Sequence, residues 1–277
     1  MAEVIPLVNS PEISSGTPSG SGPINASGKC SETLPEKYSG SFSESSTKTP
    51  EKISEQPSKS PGKKLPISKP LENQNFSLDS FDSTDSFEKI KADALTCTGC
   101  SLCKTRTNVV MGEGSDHALL VFIGEAPGED EDLSGRPFVG KAGKHLDKIL
   151  AAAGISREEV FICNILKDRP PDNRTPTIEE MQACTPFLRR QLNLLKPRLI
   201  GLLGNTAIKF VIGPKTPGVT TIHGQWFDSI FGIPCMPLYH PSYLLRNASR
   251  AQGSPNWQMW QDIQELKKRY DEIKTSK

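Results

Sequence analysis

Four short apolar runs recur after residue 85 of the chain. They read "ALLVFIG" (118–124), "EVFICNI" (159–165), "RLIGLLG" (198–204) and "IPCMPLYH" (233–240). Their brevity and their content of β-branched residues favour buried strands over helices. Each run stops at or just before a glycine, an asparagine or a histidine, so we expect the four strands to end there.

Segments with helical spacing separate these runs. In "GKHLDKILAAAG", Leu146, Ile149 and Leu150 share one helical face, and Gly154 is a natural end. The segment "TPTIEEMQACTPFLRRQLNLLKP" (175–197) begins with a threonine cap and acidic residues and stops at Pro197. Further helices are predicted over "FEKIKADALTC", "NTAIKFVIG" and "PNWQMWQDIQELKKRYDEIK". This alternation predicts an α/β fold in which a parallel sheet is covered on both faces.

The carboxyl ends of the predicted strands carry residues that can bind a ligand or take part in catalysis. They are the loops "GEAPG", "CN", "LGN" and "YHPS". Because ligands bind beyond the carboxyl ends of parallel strands, these loops predict one site at one edge of the sheet.

Composition divides the 277-residue chain in two. Residues 1–85 hold eight lysines, no arginine and eleven acidic residues, a net charge of −3, whereas the remainder has a net charge of +4. Residues 1–84 are rich in Ser, Pro, Lys and Glu, which predicts a disordered tail, and residues 85–277 are expected to form one domain. The start has no signal-peptide pattern and no apolar run long enough for a membrane span, so we expect an intracellular, cytoplasmic protein with no membrane partner.

The stretch "GRPFVGKAG" (135–143) almost spells a phosphate-binding loop. Ala142 stands where a magnesium-binding hydroxyl belongs, and Pro137 removes a backbone donor, so an NTPase is disfavoured. Phe138 instead suits stacking on a flat ligand, with burial in the core as the alternative. Asn164 can donate and accept together, as an imide edge such as that of uracil requires. His240 can donate to an oxygen that gains charge.

Seven cysteines are present, and three of them form "CTGCSLC" (97–103). In a chain without a secretion signal this spacing suggests a metal or iron–sulfur site. Cys163 lies inside a predicted strand and is interpreted as a buried apolar residue.

Taken together, the segments "CTGC", "VVMGEG", "GEAPGEDEDLSGRPFVGKAG", "ICNILKDRPPDNRTPT" and "HPSYLLRN" resemble the iron–sulfur, or family 4, uracil-DNA glycosylases. The resemblance covers about Cys97 to Asn247. It implies a three-layer α/β/α sandwich around a four-stranded parallel sheet. It also implies hydrolysis of the N-glycosidic bond of deoxyuridine in single- or double-stranded DNA by a monomer.

The resemblance implies a role for each site residue. Phe138 stacks on the flipped uracil, Asn164 pairs with its N3 and O4, and His240 stabilises charge on O2. Glu125 is the favoured carboxylate beside the sugar, and Glu131 is the alternative as a holder of water. The other expected contacts with the base and the DNA are Gly124, Ala126 and Pro127 in the turn, and Ser242, Leu244 and Arg246 after the last strand. For Leu244, burial in the core is the alternative. Glu129 and Asp130 are expected to lie on a solvated loop.

The resemblance further implies a [4Fe–4S] cluster on four cysteines, of which Cys97, Cys100 and Cys184 are present. Asp168 occupies the remaining position. Three outcomes stay open: Asp168 is the fourth ligand, Cys103 replaces it, or the cluster is absent. Because Asp168 replaces a cysteine, a second hypothesis stays open. In it, the chain is a non-cleaving iron–sulfur module that binds nucleic acid.

Overall fold

A computed structural model describes residues 84–276. The predicted tail, apart from its last residue, lies outside the described residues. Within the described part, six strands form one sheet in the order β1-β3-β2-β4-β6-β5. Their bounds are β1 Glu113–Gly114, β2 Leu120–Gly124, β3 Phe161–Asn164, β4 Leu199–Leu203, β5 Phe227–Asp228 and β6 Pro234–Leu238.

The four predicted strands are confirmed as the parallel centre of this sheet. Strand β2 pairs with β3 and β4, and β4 pairs with β6, all in parallel. The predicted strand count was too small, because β1 and β5 add antiparallel edges of two residues each. Such short pairings leave no periodic pattern in a sequence.

Helices cover the sheet. Their bounds are α1 Phe87–Leu95, α2 Glu129–Ser134, α3 Lys141–Ala152, α4 Ile178–Leu195, α5 Asn205–Val211, α6 Val219–Ile222, α7 Pro241–Arg246 and α8 Pro255–Thr275. Helix α1 packs on α4, while α3 packs on α7 and α8. The α/β class and the layered arrangement predicted from the sequence are confirmed.

Helix α4 shows how local sequence sets these boundaries. Thr177 caps its start, and the Glu180 carboxylate accepts a hydrogen bond from the Thr177 backbone N–H at 2.9 Å. This reciprocal pair satisfies two N–H groups that the first helical turn leaves without partners. The helix ends at Leu195, followed by Lys196 in a left-handed conformation just before Pro197.

Glu129 and Asp130 were predicted to lie on a solvated loop, and the loop is wrong, because both residues begin helix α2. Glu129 and Asp130 are exposed, as expected. Asp132 is buried, and its carboxylate accepts hydrogen bonds from the backbone N–H groups of Thr107 and Asn108 at 2.9 and 3.2 Å. Acidic side chains in a first helical turn are also favoured by the helix dipole.

Across residues 84–276, no helix combines the length and the apolar character that crossing a membrane requires.

Candidate active site

The loops that follow the parallel strands meet at one edge of the sheet, as the sequence predicts. Gly124 ends β2 and lies opposite Asn164, which ends β3. Gly204 follows β4, and His240 follows β6 by two residues. A hypothetical Cβ on Gly204 would lie 3.0 Å from the His240 Cβ, so these two loops are also in close contact.

Gly124 lets two predicted site residues approach each other. A Cβ on this residue would lie 2.4 Å from Oδ1 of Asn164 and 2.6 Å from Cζ of Phe138. Real Cβ atoms do not come this close to other heavy atoms, so only glycine fits here. The aromatic ring and the carboxamide therefore border the same small space above the end of β2.

Phe138 is held in an uncommon backbone conformation. Its φ is +51°, in the left-handed region that non-glycine residues rarely adopt. The ring is only 6% exposed, and its centroid lies 6.0 Å from that of His240. The loop is fixed by Glu131, whose Oε1 accepts hydrogen bonds from the N–H groups of Val139 and Gly140, both at 2.9 Å.

Asn164 is buried, and the oxygen of its side-chain amide forms no hydrogen bond within the described residues. Its exposed fraction is 2%, and its Oδ1 has no hydrogen-bond partner in the described part of the molecule. Its backbone carbonyl accepts a hydrogen bond from Nζ of the buried Lys167 at 2.8 Å. A buried polar atom without a partner costs about 1–3 kcal/mol, so this oxygen is available for a ligand.

His240 is neutral and has one preferred tautomer. Its Nδ1 accepts the backbone N–H of Ser242 at 3.2 Å and lies 2.8 Å from the Ser242 hydroxyl. Since a backbone N–H only donates, Nδ1 carries no proton, and Nε2 keeps the hydrogen. Burial, assisted by the positive charge of Arg246, lowers the pKa of His240 from 6.5 to about 4.

The two candidate carboxylates have different surroundings. Glu131, the alternative for holding water, is engaged by the backbone, because Oε1 accepts from the Phe138 loop and Oε2 accepts the N–H of Gly128 at 3.1 Å. Glu125 is partly buried, and no hydrogen bond or ion pair within the described residues engages its carboxylate. Ala126 and Pro127 complete the same turn.

Helix α7 carries the expected DNA contacts and requires one correction. Leu244 is 1% exposed and belongs to the core, so the structure agrees with the core alternative for this residue and not with insertion into DNA. Leu245 is 42% exposed, and it is the apolar residue that the end of α7 presents to solvent. The sequence carries a signal for this exposure, because Pro241 and Leu244 are three apart on one helical face, which turns Leu245 outward. Arg246 is exposed, whereas the Ser242 hydroxyl serves His240.

A separate cavity lies beyond the carboxyl end of β3, where Lys167 and Asp168 follow the strand. We call it the cysteine pocket, and it is lined by Cys97, Cys100, Cys184, Asp168, Arg106 and Lys167, among others. Burial raises the pKa of the Cys184 thiol to about 12. Two backbone N–H groups point at sulfur, from Lys167 to Cys184 at 3.2 Å and from Gly99 to Cys97 at 3.4 Å.

The donor set of this pocket fits an iron–sulfur cluster. Within residues 84–276, no three His, Cys, Asp or Glu side chains come close enough to hold a single metal ion. The ligands of a cluster bind separate irons around a larger body, so they need not meet at one point. Three thiols surround the pocket, and the buried Oδ1 of Asp168 has no hydrogen-bond partner.

Comparison with known proteins agrees with this geometry. A family model described as the uracil DNA glycosylase superfamily matches residues 111–264, more than half of the chain. The chain therefore belongs to the uracil DNA glycosylase superfamily.

Individual relatives indicate the branch. A type-4 uracil-DNA glycosylase of Thermotoga maritima is 50% identical over 153 residues, which are 55% of this chain and 80% of the relative. A type-4 enzyme of Archaeoglobus fulgidus is 43% identical over 58% of this chain and 84% of its own length. A type-5 uracil-DNA glycosylase of Pyrobaculum aerophilum is 32% identical over 50% of this chain and 67% of its own length. The similarity is thus greater to these type-4 relatives than to this type-5 relative.

Proposed function

We propose that this chain is a DNA repair glycosylase that hydrolyses the N-glycosidic bond of deoxyuridine in DNA. It releases uracil and leaves an abasic site. The observation that carries the proposal is the buried, unpartnered Oδ1 of Asn164 beside the ring of Phe138. A base must leave the helical stack to reach such a pocket, which makes single-stranded and mispaired sites less costly to open.

Recognition of uracil rests on Asn164 and Phe138. The Asn164 Oδ1 accepts from the N3–H of the base, and its amide N–H donates to O4. Cytosine presents the reverse pattern at both atoms and is rejected, because it leaves buried polar groups unpaired. Phe138 stacks on the face of the base, and Gly124, Ala126 and Pro127 form the opposite border.

Bond cleavage rests on His240 and Glu125. Negative charge develops on O2 as uracil departs, and the Nε2–H of the neutral His240 donates to that oxygen. Positive charge develops on the sugar, and the free carboxylate of Glu125 stabilises it and orients the attacking water. The proton stays on His240, because charge stabilisation by a fixed donor does not require its transfer.

DNA is held by the mildly basic part of the chain after residue 85, which has a net charge of +4. The exposed Arg246 contacts phosphate, and Leu245 occupies the gap left by the flipped base. We further propose that the enzyme is intracellular and acts as a monomer. Residues 85–277 form the catalytic domain, and residues 1–84 are not needed for the chemistry.

Cys97, Cys100 and Cys184 would hold a [4Fe–4S] cluster in the cysteine pocket, which all three line. When bound, such a group supplies a cross-link between segments, as structural metal sites do, and no step of the hydrolysis. The segments joined are the turn after α1 and helix α4. Lys167 connects this region with the proposed base pocket, the space bordered by Phe138 and Asn164. Its backbone N–H donates to Cys184 Sγ, and its Nζ donates to the Asn164 carbonyl.

The test uses a labelled oligonucleotide with a single uracil, treated with alkali after incubation so that abasic sites break. We expect cleavage at uracil, no cleavage at thymine in the same position, and a loss of about 100-fold in the single-turnover rate of Asn164→Ala. The melting temperature of the variant checks that it folds. Absence of cleavage by the folded wild-type protein, with its iron present, would favour the non-cleaving iron–sulfur module instead.

A further inference from the structure

We propose that Asp168 is the fourth ligand of the cluster through Oδ1, and that the iron it binds is selectively released on oxidation. The inference rests on the cluster included in the proposed function and goes beyond it. It assigns to this chain a cluster with one distinct, exchangeable iron.

The two oxygens of Asp168 have different partners. Oδ2 accepts a hydrogen bond from Nη1 of Arg106 at 2.8 Å. Oδ1 is buried and has no hydrogen-bond partner in the described part of the chain, although the residue lines the cysteine pocket. The Arg106 side chain is itself anchored, because its Nη2 donates to the Leu95 carbonyl at 2.8 Å. One oxygen is therefore fixed, and the other is left for a ligand.

Cys103 does not compete for this position. It lies in the 3-10 turn Ser101–Lys104 and is absent from the residues that line the cysteine pocket. Cys97, Cys100 and Cys184 all line that pocket together with Asp168. The cavity thus presents three thiols and one carboxylate oxygen.

The Asp168 carboxylate has the charge that a cluster ligand needs, but its oxygen binds iron more weakly than a thiolate sulfur does. An ionised carboxylate carries the same single negative charge as a thiolate, so the total ligand charge is unchanged. Carboxylate oxygen is a harder donor than sulfur, whereas thiolates are the usual ligands of iron–sulfur clusters. The Arg106 guanidinium draws electron density toward Oδ2, which further weakens donation from Oδ1. The iron on Asp168 is consequently held less tightly than the three on sulfur.

The release step is a one-electron oxidation. A [4Fe–4S]²⁺ cluster gives up one electron to an oxidant such as ferricyanide and loses one Fe²⁺, which leaves [3Fe–4S]⁺. The bond between iron and Oδ1 breaks, and the carboxylate keeps its charge and its ion pair with Arg106. No proton is transferred, and the three bonds to sulfur remain.

The test uses the full chain, purified without oxygen, with iron and sulfide determined chemically. Stoichiometric ferricyanide is then added, and electron paramagnetic resonance measures the three-iron signal together with the Fe²⁺ released. We expect the wild type to give this signal and to release one iron in four. Asp168→Cys is expected to lose the signal and retain its iron, and Cys103→Ala to behave as the wild type.

A second measurement does not depend on how the variants fold. After oxidation, the wild-type protein is reduced and supplied with isotopically enriched Fe²⁺, and its Mössbauer spectrum is recorded. Enrichment confined to one iron subsite supports the inference, and enrichment spread over all subsites overturns it.

The remaining outcomes separate this inference from the proposed function. Equal three-iron signals from the wild type and Asp168→Cys would overturn the assignment of Asp168. A wild type that keeps all of its iron on oxidation, together with a Cys103→Ala variant that releases one iron in four, would also overturn it and would identify Cys103 as the ligand. A wild type without iron that still excises uracil would refute the cluster, and this inference with it, and leave the glycosylase function standing. A wild type that contains iron and shows the exchangeable subsite but does not excise uracil would support this inference and refute the function.

Discussion

At the scale of single residues, His240 shows how burial prepares a side chain for one role. Its pKa is lowered from 6.5 to about 4, so the folded protein disfavours protonation of the imidazole. The unfolded chain takes up this proton near 6.5. The contribution of His240 to the free energy of unfolding is therefore undiminished at neutral pH and falls as the pH drops from 6.5 through about 4.

The catalytic rate should depend on the protonation state of His240 in the folded protein. We expect the single-turnover rate to show no inflection near 6.5 and to decline only as the pH approaches about 4. The variant His240→Asn keeps a donor that does not titrate, so it should be slower but lack the acidic decline. Circular dichroism at each pH separates this decline from acid unfolding. An inflection near 6.5 in the wild type would show that His240 is not held neutral.

Leu245 gives a second prediction at this scale. An apolar side chain that fills the gap behind a flipped base assists duplex DNA more than single strands, which have no partner strand to hold open. Leu245→Ala should therefore lower the excision rate about tenfold on duplex DNA, or about 1.4 kcal/mol, and much less on single strands. Ile178→Ala is the matched control, because Ile178 is a similarly exposed aliphatic residue, with an exposed fraction of 60%. Equal losses on both substrates would exclude the proposed insertion.

At the scale of elements, helix α2 positions the loop that carries Phe138. Glu131 joins them, because its two oxygens accept hydrogen bonds from Gly128, Val139 and Gly140. Removal of the carboxylate leaves three backbone N–H groups without their partner, in a loop where Phe138 already has a φ of +51°. Without these hydrogen bonds, the loop no longer holds the Phe138 ring next to Gly124.

We expect Glu131→Ala to lower the free energy of unfolding by about 2–4 kcal/mol and to raise KM for uracil-containing DNA. Glu131→Gln should lie between this variant and the wild type, since it retains one accepting oxygen. Glu129→Gln serves as the control on the same helix, because the Glu129 side chain is 67% exposed and its contact with Arg169 is long, at 3.8 Å. Chemical denaturation and single-turnover kinetics measure both effects. A stable Glu131→Ala with an unchanged KM would contradict this role.

The elements also show what the sequence could and could not predict. Strands β2, β3, β4 and β6 are visible as apolar runs, because a parallel strand buried on both faces has little polar alternation. Helix α2 was missed because its polar residues look like a loop, and its fixed position comes from contacts of Asp132 and Glu131 with distant backbone. Those contacts have no local pattern. The exposure of Leu245 in place of Leu244 could be predicted, because Pro241 and Leu244 are three apart and share one face of α7.

At the scale of the whole molecule, two pockets share one connecting segment. Asn164 ends β3, and Lys167 and Asp168 follow within four residues. The buried Lys167 donates to the Asn164 carbonyl on one side and to Cys184 Sγ on the other. The base pocket and the cysteine pocket are thus parts of one packed unit, and the sequence could place their residues but not this contact between them.

The beginning of the catalytic domain gives the last prediction. Arg190 on α4 donates from Nε to Oδ2 of Asp85 at 2.7 Å, and the Asp85 side chain is only 5% exposed. Arg190 also contacts Asp93 at 2.8 Å, but that side chain is 44% exposed. Because Asp85 is the more buried partner, we place the start of the domain at this residue rather than farther along the chain.

A protein that lacks residues 1–84 should therefore keep the melting temperature and the single-turnover rate of the full chain on a short oligonucleotide. The same truncation with Asp85→Ala should lose about 1–3 kcal/mol, or about 2–4 °C of melting temperature for each kcal/mol, because it leaves Arg190 without its buried partner. Asp93→Ala in the truncated protein is the control and should lose less, since exposed ion pairs contribute little. A large fall in rate on removal of residues 1–84 alone would show that the catalytic unit extends into that segment.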